Sequence, residues 1–165
     1  MAVDAFLEIL DSGGTAIEGE SKDSAHEKLL QIRNFEFGVS MKADPTVGSG
    51  LGGGKAEFKE FTFDVDNSKA SPVLFRYCCN GEHCQKAVLY VRKPGGKQQD
   101  YYIWTFKELS ITNFGISCSE NIVEKISFLY TALACEYRVQ DQKGQIAKSG
   151  LKAGWDVKLN SEYTA

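Results

Sequence analysis

Cys78, Cys79, His83 and Cys84 stand in one seven-residue stretch. Thiolates and an imidazole suit zinc, and Cys118 or His26 could supply a fourth ligand. The spacing argues against a metal, because adjacent residues on a helix point about 100° apart and Cys78 and Cys79 cannot both face one ion. Small thiols filling a helix face explain the group more simply. Cys79 with His83 is also the only plausible nucleophile and base, but no orienting or oxyanion signature accompanies them. Glu8, Glu18, Glu20, Asp64 and Asp66 could furnish paired carboxylates, yet nothing in their spacing favours acid–base work over solvated strand faces. No catalytic, cofactor or metal residue is assigned.

A second candidate is the run Gly48, Ser49, Gly50, Leu51, Gly52, Gly53, Gly54 and Lys55. Backbone amides of a glycine loop plus one lysine can cradle phosphates. Counting back from Lys55, however, the first glycine of that motif falls on Ser49 and the hydroxyl position on Ala56, and a strand rather than a helix follows. The segment is therefore expected to be an extended assembly loop over about 40–55, with Gly48 to Gly54 at a contact between subunits.

The elements that must hold these residues are mostly strands. From Ala2 to Leu10 apolar side chains occupy both faces, and the run ends in the turn Asp11-Ser12-Gly13-Gly14. Lys22 to Lys28 shows no periodicity and is expected to be an exposed loop. A strand from Leu29 shifts phase between Leu30, Ile32 and Phe35, Phe37, Val39, so a bulge is expected near Arg33 and Asn34. Phe61, Phe63 and Val65 alternate with polar residues. Ser71-Pro72 reads as an N-cap and first helical position, Val73 to Cys79 as a short helix, and Gly81 as its stop.

A hairpin then pairs Lys86–Lys93 with Tyr101–Asn113 across Pro94-Gly95-Gly96, with Trp104 and Phe106 opposite Ile103, Leu109 and Ile111. One long strand spans Ile122–Val139, with large apolar groups on both faces, and a last strand lies around Trp155-Asp156-Val157. Two-sided apolar strands imply a closed barrel whose outside is covered by the helix or by another subunit. No internal repeat is visible.

The chain has 165 residues, a size that suits one domain spanning 1–165 with its own core. Its formal net charge is -3 with acidic and basic residues interleaved, which argues against nucleic acid as the main partner. No run approaches the roughly twenty apolar residues of a membrane span. The opening residues lack a basic leader, and an odd set of five cysteines fits reduced thiols, so cytoplasmic synthesis without a cleavable signal is expected.

Several clusters, in order, then carry a resemblance: Ala2-Val3-Asp4-Ala5-Phe6-Leu7-Glu8-Ile9; Ile17-Glu18-Gly19-Glu20-Ser21-Lys22-Asp23 with His26; Asp66 with Ser71-Pro72; Gly81 with His83; Val91-Arg92-Lys93; Gln99 with Tyr101-Tyr102; Lys107; and Gly154-Trp155-Asp156 with Asn160. Together they resemble the haemolysin-coregulated protein (Hcp) family, the tube protein of type VI secretion. The resemblance covers nearly the whole chain. It implies a mainly β fold, a small closed β-barrel with one short flanking α-helix, six copies of which close into a ring, and rings that stack into a hollow tube.

It further implies no enzymatic activity and export from the bacterial cytoplasm when a surrounding contractile sheath fires. A spike protein sits at the tip, and small effector proteins travel in the lumen. The glycine loop falls where the family has a loop reaching a neighbouring subunit, and Glu36 falls at a lumen-facing position. Departures are the longer first turn at Ser12–Thr15, Phe35 and Phe37 where tryptophans are common, and the denser cysteine group. A chain ending at Ala165 is expected to carry no fused toxin. The alternatives are a small cytoplasmic binding module or effector chaperone that uses a barrel surface, and a cysteine or zinc enzyme centred on Cys79 and His83.

Overall fold

A computed structural model describes residues 3–42, 54–93 and 98–164. Eleven strands and one helix follow the chain: β1 Asp4–Leu10, β2 Leu30–Glu36, β3 Val39–Met41, β4 Ala56–Phe58, β5 Phe61–Asp66, α1 Ser71–Asn80, β6 His83–Arg92, β7 Asp100–Cys118, β8 Ile122–Leu129, β9 Ala132–Tyr137, β10 Leu151–Asp156 and β11 Ser161–Glu162. Six of them, in the order β7-β6-β1-β2-β5-β8, close on themselves because β8 pairs again with β7. The result is the expected mainly β closed barrel with one short helix. Closure leaves these six strands without the free edges that an open sheet would carry.

The core follows from period-two patterning. Phe61, Phe63 and Val65 on β5, Leu7 and Ile9 on β1, and Ile126 and Phe128 on β8 all point inward. The expected bulge on β2 lies between Ile32 and Asn34, against β5. On β7 the structure corrects the sequence pattern: Phe106, Leu109 and Ile111 are all in the core, not on opposite faces. Glu108 takes a positive φ of 48°, so two consecutive residues, Lys107 and Glu108, face outward and the phase flips.

The long strand expected over Ile122–Val139 is broken at Tyr130-Thr131 and ends at Tyr137. Across the break its halves keep one register against β7, since Ser110 faces Leu129 and Lys107 faces Ala132, and the β7–β8 pairing shifts only further on, between Ile111 and Asn113. On the other side they diverge. β8 meets β5 to close the barrel, whereas β9 meets β10 and then β11 to build a wing outside it. Gly154 is required there, because a Cβ would run into the Tyr163 carbonyl and the Ala134 side chain.

The helix begins one residue earlier than expected, at Ser71 and not Pro72. Ala70 precedes it in a helical conformation, and Ser71 is the first helical residue. The Ser71 hydroxyl instead donates to the buried Glu124 carboxylate at 2.6 Å, which ties the helix to β8. Gly81 ends α1 in the left-handed region at φ 72°, as expected. Leu74 and Tyr77 bury one helix face, and Phe75 packs edge-on against Phe114 of β7.

Two turns prove to be twins. Asp11 Oδ1 accepts from the amides of Gly13 and Thr15, both at 2.9 Å. Asp141 Oδ1 accepts from Lys143 and Gln145 at 2.9 and 2.8 Å. Gly14 and Gly144 take φ values of 81° and 79°. The repeated geometry needs only Asp and, three residues on, Gly, which is too little identity to show as a repeat in sequence.

Candidate assembly surfaces

The residues with chemical potential do not converge. Cys84 lies in the core, Cys78 is half-buried and Cys79 exposed. Burial, with Asp11 and Glu82 nearby, pushes the Cys84 thiol up to about 11, away from the thiolate a metal or nucleophile needs. Among the described residues no three His, Cys, Asp or Glu side chains cluster in a way that could hold an ion. His83 is exposed at the start of β6 opposite Ser110.

His26 has a different task from any ligand. Residues 18–29, of which Lys22 to Lys28 were expected to be an exposed loop, form a strap over the outer face of β1 and β6. Its Ser21 and His26 are buried. His26 Nε2 lies 2.9 Å from Asp100 Oδ1, and its ring lies between Phe6 and Tyr90 with centroids 4.7 Å from each. The Arg92 guanidinium donates to both carboxylate oxygens of Asp23, at 3.0 Å for the Nη1 to Oδ1 bond, and sits over Phe6 at 4.7 Å. These hydrogen bonds pull the Asp23 carboxyl down to about 2. The strap covers the second face of β1, which is why Phe6 is buried there. A lone His and Asp in an aperiodic run gave no signal of it. Only their pairing with Arg92 and Asp100, some seventy residues away, makes them visible.

Three surfaces remain uncovered. The first is an arm, the two-stranded sheet β3–β4, which brackets the glycine loop. Val39, Met41, Ala56 and Phe58 share one face of it, with Ser40 and Glu57 on the other. Phe37 anchors its base against Phe61, Trp104 and Phe106 at centroid distances of 5.3, 4.8 and 5.3 Å. Gly54 closes the arm by donating its N–H to the Lys42 carbonyl at 3.3 Å. The other expected contact residues, Gly48, Ser49, Gly50, Leu51, Gly52 and Gly53, lie outside the described residues.

The second surface carries Glu36, exposed at the end of β2 and paired in register with Thr62. Around it the outer barrel wall is polar: Asn34 donates to Asp64 at 3.2 Å, and the Thr62 and Ser127 hydroxyls are 2.9 Å apart. The third is the wing. Its core-side face continues the barrel interior outward in three cross-strand rows, Phe106-Leu133-Trp155, then Trp104-Cys135-Ala153, then Tyr102-Tyr137-Leu151. Exposure rises along them from 0% at Phe106 to 75% at Leu151. An apolar sheet face of this kind is a surface awaiting a partner.

The same architecture occurs in known proteins. The family described as type VI secretion system effector, Hcp, matches residues 6–137. Protein hcp1 of Pseudomonas aeruginosa is 32% identical over 166 residues, covering 97% of this chain and 98% of that protein. The crystal structure of Hcp1 from Salmonella typhimurium superposes with a TM-score of 0.77 at 28% identity, over 99% of this chain and 100% of that one. A structure described as a type six secretion system protein reaches a TM-score of 0.88 over 98% of this chain and 100% of its own, at 24% identity, and speaks for the fold alone. Fold, length and sequence agree from end to end, and the chain belongs to the Hcp family of type VI secretion proteins.

Proposed function

We propose that this chain is the structural subunit of the inner tube of a type VI secretion machine, closing as a homohexameric ring and stacking ring upon ring. The observation that carries this reading is the barrel with two apolar projections, the arm and the wing, that a single copy leaves bare. A subunit that works alone has no reason to keep both; one that joins two different neighbours needs two different patches. The glycine residues between the arm's two strands, Gly48 to Gly54, are assigned to the contact with the adjoining subunit. The polar wall around Glu36 faces the lumen, where an exposed carboxylate can meet cargo.

The finer assignments follow from the same reading. The tube is made in the cytoplasm and secreted when the sheath contracts around it. It carries a spike at its tip and effector proteins within. We assign it no catalysis; the thiol of Cys84, the neighbour of His83, is buried and pushed up to about 11.

Light scattering after size-exclusion chromatography, across a concentration series and with negative-stain imaging, tests the proposal. Rings that appear or persist as concentration rises are expected, because weak contacts strengthen when several close together. Removing Ser49 to Gly53 is expected to keep the melting transition, since the core lies elsewhere, while raising the concentration at which rings form. A strict monomer at all concentrations would refute the tube reading; an unchanged ring in the deletion would refute the role of the loop.

A further inference from the structure

We infer that Asn80 is a site of spontaneous deamidation whose rate is set by opening of the last turn of α1. Asn80-Gly81 is the single Asn-Gly pair in the chain; Asn34, Asn67, Asn113, Asn121 and Asn160 all precede residues with side chains. A glycine has no Cβ to shield its nitrogen, so that nitrogen can reach the asparagine side chain before it. Both residues are exposed, and water has access to the pair.

The reaction needs only solvent. The Gly81 nitrogen gives its proton to a solvent base and bonds to Asn80 Cγ. The Cγ–Nδ2 bond breaks, and the amide nitrogen takes a proton from water and leaves as ammonia. Water then opens the five-membered imide. Cleavage of the new Cγ–N bond yields aspartate; cleavage of the original peptide C–N bond yields isoaspartate, with the main chain rerouted through Cγ.

The fold holds each participant back. The Gly81 N–H that must be lost donates to the Tyr77 carbonyl at 3.1 Å. Asn80 Oδ1 accepts from the Glu82 amide and Nδ2 donates to Glu82 Oε1, both at 2.9 Å, so the side chain is clamped at both of its polar atoms. Asn80 is also the last helical residue, and closing the imide requires a ψ outside the helical range. Tyr77, whose carbonyl carries the cap, is itself buried in the core. An opening that breaks one or two net hydrogen bonds leaves about a tenth of the molecules or fewer reactive at any moment.

The products disturb what held the reactant. A carboxylate at position 80 stands at the negative end of the helix dipole and repels Glu82, where the amide now bonds it. Isoaspartate lengthens the main chain ahead of Gly81 and breaks the left-handed cap at φ 72°.

Peptide mapping by mass spectrometry tests the inference. The protein is held at pH 8, folded in one series and unfolded in guanidinium chloride in the other, and the tryptic fragment Tyr77–Lys86 is followed, with thermal melts to show that each variant is folded. In the unfolded series Asn80 is expected to convert ahead of the other five asparagines, and Gly81→Ala to suppress that conversion. In the folded series conversion at Asn80 is expected to be about tenfold slower or more. Glu82→Ala releases the clamp and is expected to speed the folded series about threefold or more without changing the unfolded one. If Asn80 converts no faster than its fellows when unfolded, the site is wrong. If folded and unfolded rates agree, or Glu82→Ala leaves the folded rate unchanged, the gating by α1 is wrong.

Discussion

Phe61 is the side chain on which the barrel's stability turns. It is fully buried, and the rings of Phe128, Phe106, Phe37, Phe63 and Phe35 lie around it with centroids between 4.8 and 6.1 Å away. These residues come from β2, β5, β7 and β8 and from the base of the arm, so no single element can relax to fill the space. Phe61→Ala should therefore cost about 3–5 kcal/mol, the range for truncating a buried phenylalanine. For a domain of this length one kcal/mol moves the melting point by about 2–4 °C, giving a fall of about 9–15 °C at a mid-range 3 °C per kcal/mol. Phe75→Ala, at a residue 55% exposed on α1, should move it by less than about 3 °C. Calorimetry on both variants decides the matter. If Phe61→Ala falls by no more than Phe75→Ala, the aromatic knot is not what holds β2, β5, β7 and β8 together.

Two further outcomes follow from the titrating groups. Asp23 has its carboxyl lowered from 3.8 to about 2 by Arg92, so the strap's contribution is complete above the ordinary carboxylate range and is lost as pH falls from about 4 toward 2. In urea denaturation series at pH 6, 4 and 2.5, the gap in midpoint between wild type and Asp23→Asn should therefore narrow as the pH drops. A gap that is constant with pH would mean that the Asp23–Arg92 pair contributes nothing. With a thiol reagent at pH 8, Cys79 and Cys118 should react at once. Cys84, buried and with its thiol at about 11, should react only on unfolding. Rapid labelling of Cys84 in the folded protein would contradict its place in the core.

Most of the barrel was legible because period-two patterning and turn chemistry are local. Phe61, Phe63 and Val65 announce their strand, the phase shift at Ile32 to Phe35 announces the bulge, and Gly81 announces the end of the helix. What escaped is non-local. The flip at Glu108 depends on which strands flank β7 at that point, and no residue type in Lys107-Glu108-Leu109 demands it. The break at Tyr130-Thr131 arises because one half of the strand serves β5 and the other β10. Ser71 looks like a cap until Glu124, fifty-three residues later in the chain, takes its hydroxyl. The strap carries its meaning in partners rather than in pattern. Of the proposed assembly residues, Glu36 comes from the family resemblance alone and the glycine loop from the resemblance and its composition together, whereas β3 and β4 on either side of that loop were not expected as strands of their own.

The register that the end of β8 shares with β9 against β7, continuous across Tyr130-Thr131, has a mechanical consequence. A pull on the wing along its strands does not meet a hinge at the barrel wall; it passes into the same ladder of hydrogen bonds that closes the barrel. Bonds in such a ladder are loaded side by side, in shear, and must fail together rather than peel one after another. A wall built from these subunits would pass load along the strands from the wing into the barrel through backbone, with the side chains setting only the fit.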